Sequence, residues 1–119
     1  MKNTLKIKIP SLEMVLLKIL STDDCYGYQI AQTVEKLSDG LIIISLGTMY
    51  PALYRLQEKG FISDYKKIVA VQMERVYYHL EKSGLDELNR LQEEYKKMTA
   101  ATMNILNYEG ESAKEQELA

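Results

Sequence analysis

Pro51 sits inside a run of helix-forming residues, and it constrains this chain more than any other position. Proline has no N–H to give and its ring crowds the preceding turn, so it is tolerated only near a helix start. The helix must then begin just upstream, where Ser45 and Thr48 are both residues that cap N-termini. Gly60 supplies the left-handed residue that ends helices. At about 100° per residue, Leu46, Met49, Leu53 and Leu56 share one face. Gly47, Pro51, Arg55 and Glu58 lie roughly opposite, flanked by Thr48 and Tyr54. A helix that buries Leu and Met while presenting Gly, Thr, Tyr, Pro and Arg has a surface suited to nucleic acid. Glycine lets a backbone approach closely, hydroxyls bond phosphates, and Arg forks onto guanine. Ser45, Gly47, Thr48, Tyr50, Pro51 and Arg55 are therefore candidate contacts. For Tyr50, near the edge of the buried face, packing and contact both stay open.

The chain has 119 residues, enough for one domain with a modest core. Its 46% hydrophobic and 27% charged residues are those of an ordinary globular protein. No apolar run approaches the roughly 18 residues of a membrane span. The start alternates charge with apolar residues, which does not read as a secretory signal. A lone Cys excludes an internal disulfide framework and agrees with a cytoplasmic location. The net charge of −2 argues against a non-specific nucleic-acid coat, but its distribution is uneven. Residues 1–18 carry four Lys and one acid, and residues 45–82 carry six basic against four acidic groups. Residues 83–119 carry four basic against eight acidic groups, so the basic excess lies beside the candidate reading helix.

Pro10-Ser11 precedes a first helix, apolar on more than half its circumference, with a break at Ser21-Thr22-Asp23-Asp24. A second helix is expected from about Tyr26 to Leu37, ended by Ser38-Asp39-Gly40. Leu41–Ile44 is a β-prone run leading into the Ser45 helix. After Gly60 the runs Phe61–Val69 and Val71–Leu80 are spaced to pair as a hairpin. A long last helix then runs from about Glu81–Gly84 to Asn107. Three helices followed by a two-stranded hairpin is the order of a winged helix-turn-helix, a mainly α (α+β) fold. Residues 1–82 form that unit, 83–108 the last helix, and 109–119 an acidic tail expected to be disordered.

With these pieces in place, the chain resembles the PadR family of bacterial transcriptional regulators. The matching residues are Tyr26-Gly27-Tyr28-Gln29-Ile30, Ser45–Leu53 with Arg55-Leu56, Glu58–Ile62, and Tyr77-Tyr78-His79-Leu80 with Ser83-Gly84. The resemblance implies a dimeric repressor whose C-terminal helix forms the dimer interface; several proteins of this kind release DNA on binding small aromatic or drug-like molecules, so a small planar aromatic effector is a candidate partner. Two places depart from the family's pattern. The wing tip, Ile68–Met73, is apolar rather than rich in Gly and Arg. Tyr95 stands where the multidrug-binding branch carries an aromatic residue, often Trp.

Further candidates follow from position. Tyr28 is either a contact through its hydroxyl or a core residue. Lys66, Lys67 and Arg75 flank the wing, where cations could pair with phosphate, and Lys2, Lys6 and Lys8 could reach a phosphate or simply be solvated. In the last helix Leu88, Leu91, Tyr95, Met98, Thr102 and Ile105 fall at alternating spacings of three and four, a heptad-like seam. A helix of two dozen residues is about 36 Å long and overhangs a reading domain of this size. A second copy, or folding back on the same domain, would cover the overhanging seam; Tyr95 and Met98 either complete that interface or make room for a planar effector. His79 lacks the neighbours of a metal site or a catalytic pair. Cys25 lies beside Asp23 and Asp24, which oppose a reactive thiolate. Nothing in the pattern calls for a cofactor, a metal or an enzyme. The alternative reading is a helical dimer of the same fold that binds a small molecule or a protein and no longer binds DNA.

Overall fold

The computed structural model describes residues 12–111. The first-helix signal at Pro10-Ser11, the lysines Lys2, Lys6 and Lys8, and the acidic tail from residue 112 on lie outside the described residues. The core starts with α1, Leu12–Thr22, whose Leu16, Leu17, Ile19 and Leu20 are buried. Ser21 and Thr22, read as a break, form the last turn instead. Their hydroxyls donate to the carbonyls of Lys18 and Ile19 at 2.6 and 2.7 Å, which keeps these turn-prone residues inside the helix.

Two residues then form a strand that the sequence did not announce, β1, Cys25–Tyr26. They pair antiparallel with Tyr78 and Tyr77. Cys25 is therefore a buried strand residue. Tyr26 is also the N-cap of α2, Gly27–Leu37, and its N–H donates to the Gln29 side chain at 3.4 Å. Ile30 and Val34 anchor α2 in the core. The apolar connector to α3 finds no sheet partner. Ile44 turns inward, Ile42 packs partly on the core, and the Ile42 N–H is held by the Ser38 hydroxyl at 2.9 Å.

The next helix, α3, spans Leu46–Glu58 with Met49, Ala52, Leu53 and Leu56 buried. Gly60, at φ +78°, closes it as a Schellman turn. The N–H groups of Phe61 and Gly60 return to the carbonyls of Leu56 and Gln57 at 3.0 and 2.9 Å. Leu46 is not on the buried face as expected. As the first helical residue it precedes the turn that packs, and Ile44 fills the core beside it.

The hairpin is β2, Ile62–Ala70, against β3, Met73–Leu80, turning at Val71-Gln72. The sheet order is β1-β3-β2, all antiparallel, with Ile62 opposite Leu80 and Lys67 opposite Arg75. Alternation sends Ile62, Tyr78 and Cys25 inward. The last helix, α4, spans Lys82–Leu106. Its start is tied to the end of α3 and the start of β2. The Glu81 N–H bonds the Phe61 carbonyl at 2.9 Å, the Ser83 hydroxyl bonds the Gly60 carbonyl at 2.8 Å, and Ser63 bonds Glu81 at 2.6 Å. Leu88 is buried in the same core and Leu91 packs against it, so the first turns of α4 belong to the head.

Candidate nucleic-acid interface

The start of α3 is fixed by its own polar groups. Ser45, at φ −70° and ψ 150°, accepts the Thr48 N–H at 3.2 Å, and its hydroxyl lies 3.0 Å from that of Thr48. These bonds satisfy a helix end that would otherwise leave N–H groups without partners. With Met49, Ala52, Leu53 and Leu56 in the core, the opposite face is left to solvent: Leu46, Gly47, Thr48, Tyr50, Pro51, Tyr54 and Arg55. Pro51 stands one and a half turns into the helix, deeper than expected. It gives no N–H to the carbonyl of Gly47, four residues back, and that residue is exposed and has no side chain for the ring to meet. A Cβ built on Gly47 meets nothing within 4 Å, so the surface there is open to a close-lying partner.

Tyr50 serves both readings. It is partly exposed, yet its ring and hydroxyl lie where a side chain at residue 27 would be, so Gly27 is the residue that lets α2 and α3 approach. Tyr28 is solvent-facing rather than core. Tyr26, Gly27, Tyr28, Tyr50 and Arg75 line a notch of about 330 Å³ between the N-terminus of α2, α3 and the wing.

The structure brings two of the candidate cations together, Lys67 and Arg75, and sets Arg55 and Lys66 apart from them. Arg55 sits 3.7 Å from Glu13 of α1, and Lys59 reaches the same carboxylate at 3.7 Å. Arg55 thus ties α3 to α1, well away from the N-terminal turn. On the wing, Lys67 and Arg75 are register partners and share one face, while Lys66, opposite Val76, lies on the other. Lys67 lies 5.1 Å from the Tyr77 ring centre and Arg75 4.3 Å from that of Tyr26. Tyr77 in turn stacks on Tyr65 at 5.8 Å and meets Tyr26 edge-on at 5.6 Å. Sequence reading missed this aromatic ladder, because it depends on the register of β1, a strand too short to show a pattern. It noted Tyr54 only as a flanking residue, although its ring is largely exposed. The signal was there: Leu46, Tyr50 and Tyr54 recur every four residues.

One polar cluster bridges the sheet from the start of β1 across β3 to β2. Asp24 accepts the Tyr65 hydroxyl at 2.7 Å and pairs with His79 Nδ1 at 2.9 Å. The Tyr65 hydrogen bond, then His79, holds the Asp24 carboxyl below its ordinary range. The same bond pushes Tyr65 up to about 12, and Asp24 raises His79. Burial, then the charges of Asp23 and Asp24, pushes the Cys25 thiol up, so it stays protonated and unreactive at neutral pH.

Along α4 the six seam residues divide. Leu88 and Leu91 are satisfied within the chain, whereas Tyr95, Met98, Thr102 and Ile105 are exposed, Met98 at 68% and Ile105 at 73%. Thr102 returns its hydroxyl to the Met98 carbonyl at 2.8 Å. Tyr95 closes an apolar groove of about 380 Å³ with Met14, Val15, Val34, Leu37 and Ile42, edged by Lys18 and Lys96. Among the described residues no helix is long and apolar enough to cross a membrane.

Comparison with known proteins gives this geometry a context. Residues 16–90 match the model of the transcriptional regulator PadR-like family. A PadR family transcription regulator from Clostridium difficile is similar at 30% identity and a TM-score of 0.70, over 80% of this chain and 97% of that one. Bacillus subtilis PadR, solved in complex with operator DNA, is 26% identical with a TM-score of 0.61, over 66% of this chain and 45% of that one. The transcriptional regulator YqjI of Escherichia coli is 42% identical over 52 residues, 44% of this chain. That match spans only 25% of YqjI's own length. The chain belongs to the PadR-like family of transcriptional regulators.

Proposed function

We propose that this chain is a sequence-specific DNA-binding repressor that acts in the cytoplasm as a homodimer and responds to a small ligand. The observation that carries the reading is the start of α3. It is capped, anchored in the core from behind, and presents Gly47, Thr48, Tyr50, Pro51 and Tyr54 outward. In helix-turn-helix proteins the N-terminal residues of such a helix meet base edges in the major groove. The relative held on operator DNA supports the same use of the fold. Tyr28, Lys66, Lys67 and Arg75 then serve the flanking phosphates, and Arg55, half-exposed and 3.7 Å from Glu13, stays available as a contact further along the helix.

The exposed apolar side of α4 supports dimerisation beyond the first turns of the helix, through Tyr95, Met98, Thr102 and Ile105. Two heads on one duplex bind far more tightly than either alone. A planar effector lodged near Tyr95 and Met98 changes the spacing of the heads and so lowers affinity. A second reading, a dimer of this fold that has lost DNA, is favoured by the wing tip, where Ile68, Val71 and Met73 are exposed and apolar. Mobility shift of the duplex upstream of the protein's own gene separates the two. A shift that weakens as salt rises is expected, and no shift at any salt leaves the second reading.

A further inference from the structure

We infer that Leu46 reads the 5-methyl group of a thymine in each half-site. The inference rests on the DNA-binding reading above and adds to it the chemistry by which one base pair is chosen. Leu46 is the first residue of α3 and is 45% exposed, although its spacing places it with the buried Met49 and Leu53. Ile43, just upstream, is also exposed. In the free protein this apolar edge faces water.

The polar groups around it are neutral, and Ser45 is spent on the helix cap. The Ser45 hydroxyl accepts the Thr48 N–H and donates to the Thr48 hydroxyl oxygen. The Tyr50 hydroxyl rests against Gly27. Arg55 faces Glu13, far along the helix. From Ser45 to Pro51 there is no charged side chain. The turn that enters the groove first therefore offers base edges one large apolar side chain, Leu46, among small and neutral polar ones. In the major groove the bases present hydrogen-bonding groups and a single apolar one, the thymine methyl. Apolar contact with that methyl is the discrimination open to Leu46.

The test uses the duplex that the full chain enriches from a random-sequence pool, with each thymine replaced in turn by uracil, which lacks only the methyl. Affinity is read by fluorescence anisotropy. At one thymine of each half-site, loss of the methyl is expected to weaken wild type about fourfold, the worth of roughly one buried methyl group. Leu46→Ala should bind the thymine duplex more weakly and be indifferent to uracil at that position. Leu46→Met, which keeps an apolar reach, should stay sensitive. Both variants replace a half-exposed residue, and thermal melting confirms that each is folded. A flat uracil scan in wild type overturns the inference, as does a uracil effect that persists unchanged in Leu46→Ala. If no duplex is enriched at all, the DNA-binding reading falls with it, so the two failures are distinguishable.

Discussion

Tyr50 on the proposed reading surface both packs and stays partly exposed. Gly27 exists as glycine because the Tyr50 ring occupies the space of its side chain. Gly27→Ala should therefore cost about 1–3 kcal/mol of stability by overpacking. The double variant Gly27→Ala/Tyr50→Ala should recover part of that loss in a thermal or urea melt. Full additivity of the two single losses would show that the ring and the glycine are not coupled. Ser45→Ala removes the cap of α3 and should cost about 1 kcal/mol, read in the same melt.

His79 and Asp24 set the pH response. Asp24 is lowered, so its contribution is present above its ordinary 3.8 and is lost as pH falls through its folded value. His79 is raised, so its contribution is complete below its ordinary 6.5 and fades as pH rises through its folded value. The pair thus stabilises most between those limits. His79→Gln should flatten the decline of stability above pH 6.5, and an unchanged profile would mean that another group titrates there. The capped start, Pro51 and Gly60 were legible as sequence because local backbone rules govern them. The Arg55–Glu13 pair was not, since it joins residues brought together only by the packing of α1 on α3.

At the scale of elements, periodicity found what is long and missed what is short. The order of α2, α3, hairpin and α4 was readable because each carries several residues of one period. β1 has two residues, and its pairing with β3 is set by register with distant tyrosines. The four isoleucine and leucine residues from Leu41 to Ile44 have strand propensity but no neighbouring edge to pair with, so tertiary context overrides it. In α4 the heptad-like seam was legible, but its division was not. Leu88 and Leu91 pack on their own head, while Arg90 bridges Glu87 and Glu94 at 2.8 Å along the charged side. Dimer tests therefore belong beyond Tyr95. Met98→Glu/Ile105→Glu should convert dimer to monomer in sedimentation without lowering the helical signal, because it places unpaired charge in an apolar seam. A dimer unchanged by both charges would put the interface on another face.

The whole molecule is a core-anchored head with a long helix leaving it. The family model spans residues 16–90, the head and the start of α4, and the exposed apolar half of α4 lies beyond that. Its net charge of −2 leaves little non-specific attraction to DNA, so in the proposed reading affinity rests chiefly on a small, well-fitted contact at the start of α3. Gly47 is the most direct probe of that contact. A side chain there meets nothing within 4 Å in the free protein, so Gly47→Glu should fold and associate as wild type does. Against DNA, the same carboxylate would enter the groove between two rows of phosphates, where like charges cost several kcal/mol. The decisive measurement is the affinity of Gly47→Glu for the duplex bound by wild type, taken by anisotropy at one salt concentration. The account predicts a loss of about a hundredfold or more with melting temperature and sedimentation unchanged. Wild-type affinity in the folded variant would contradict it.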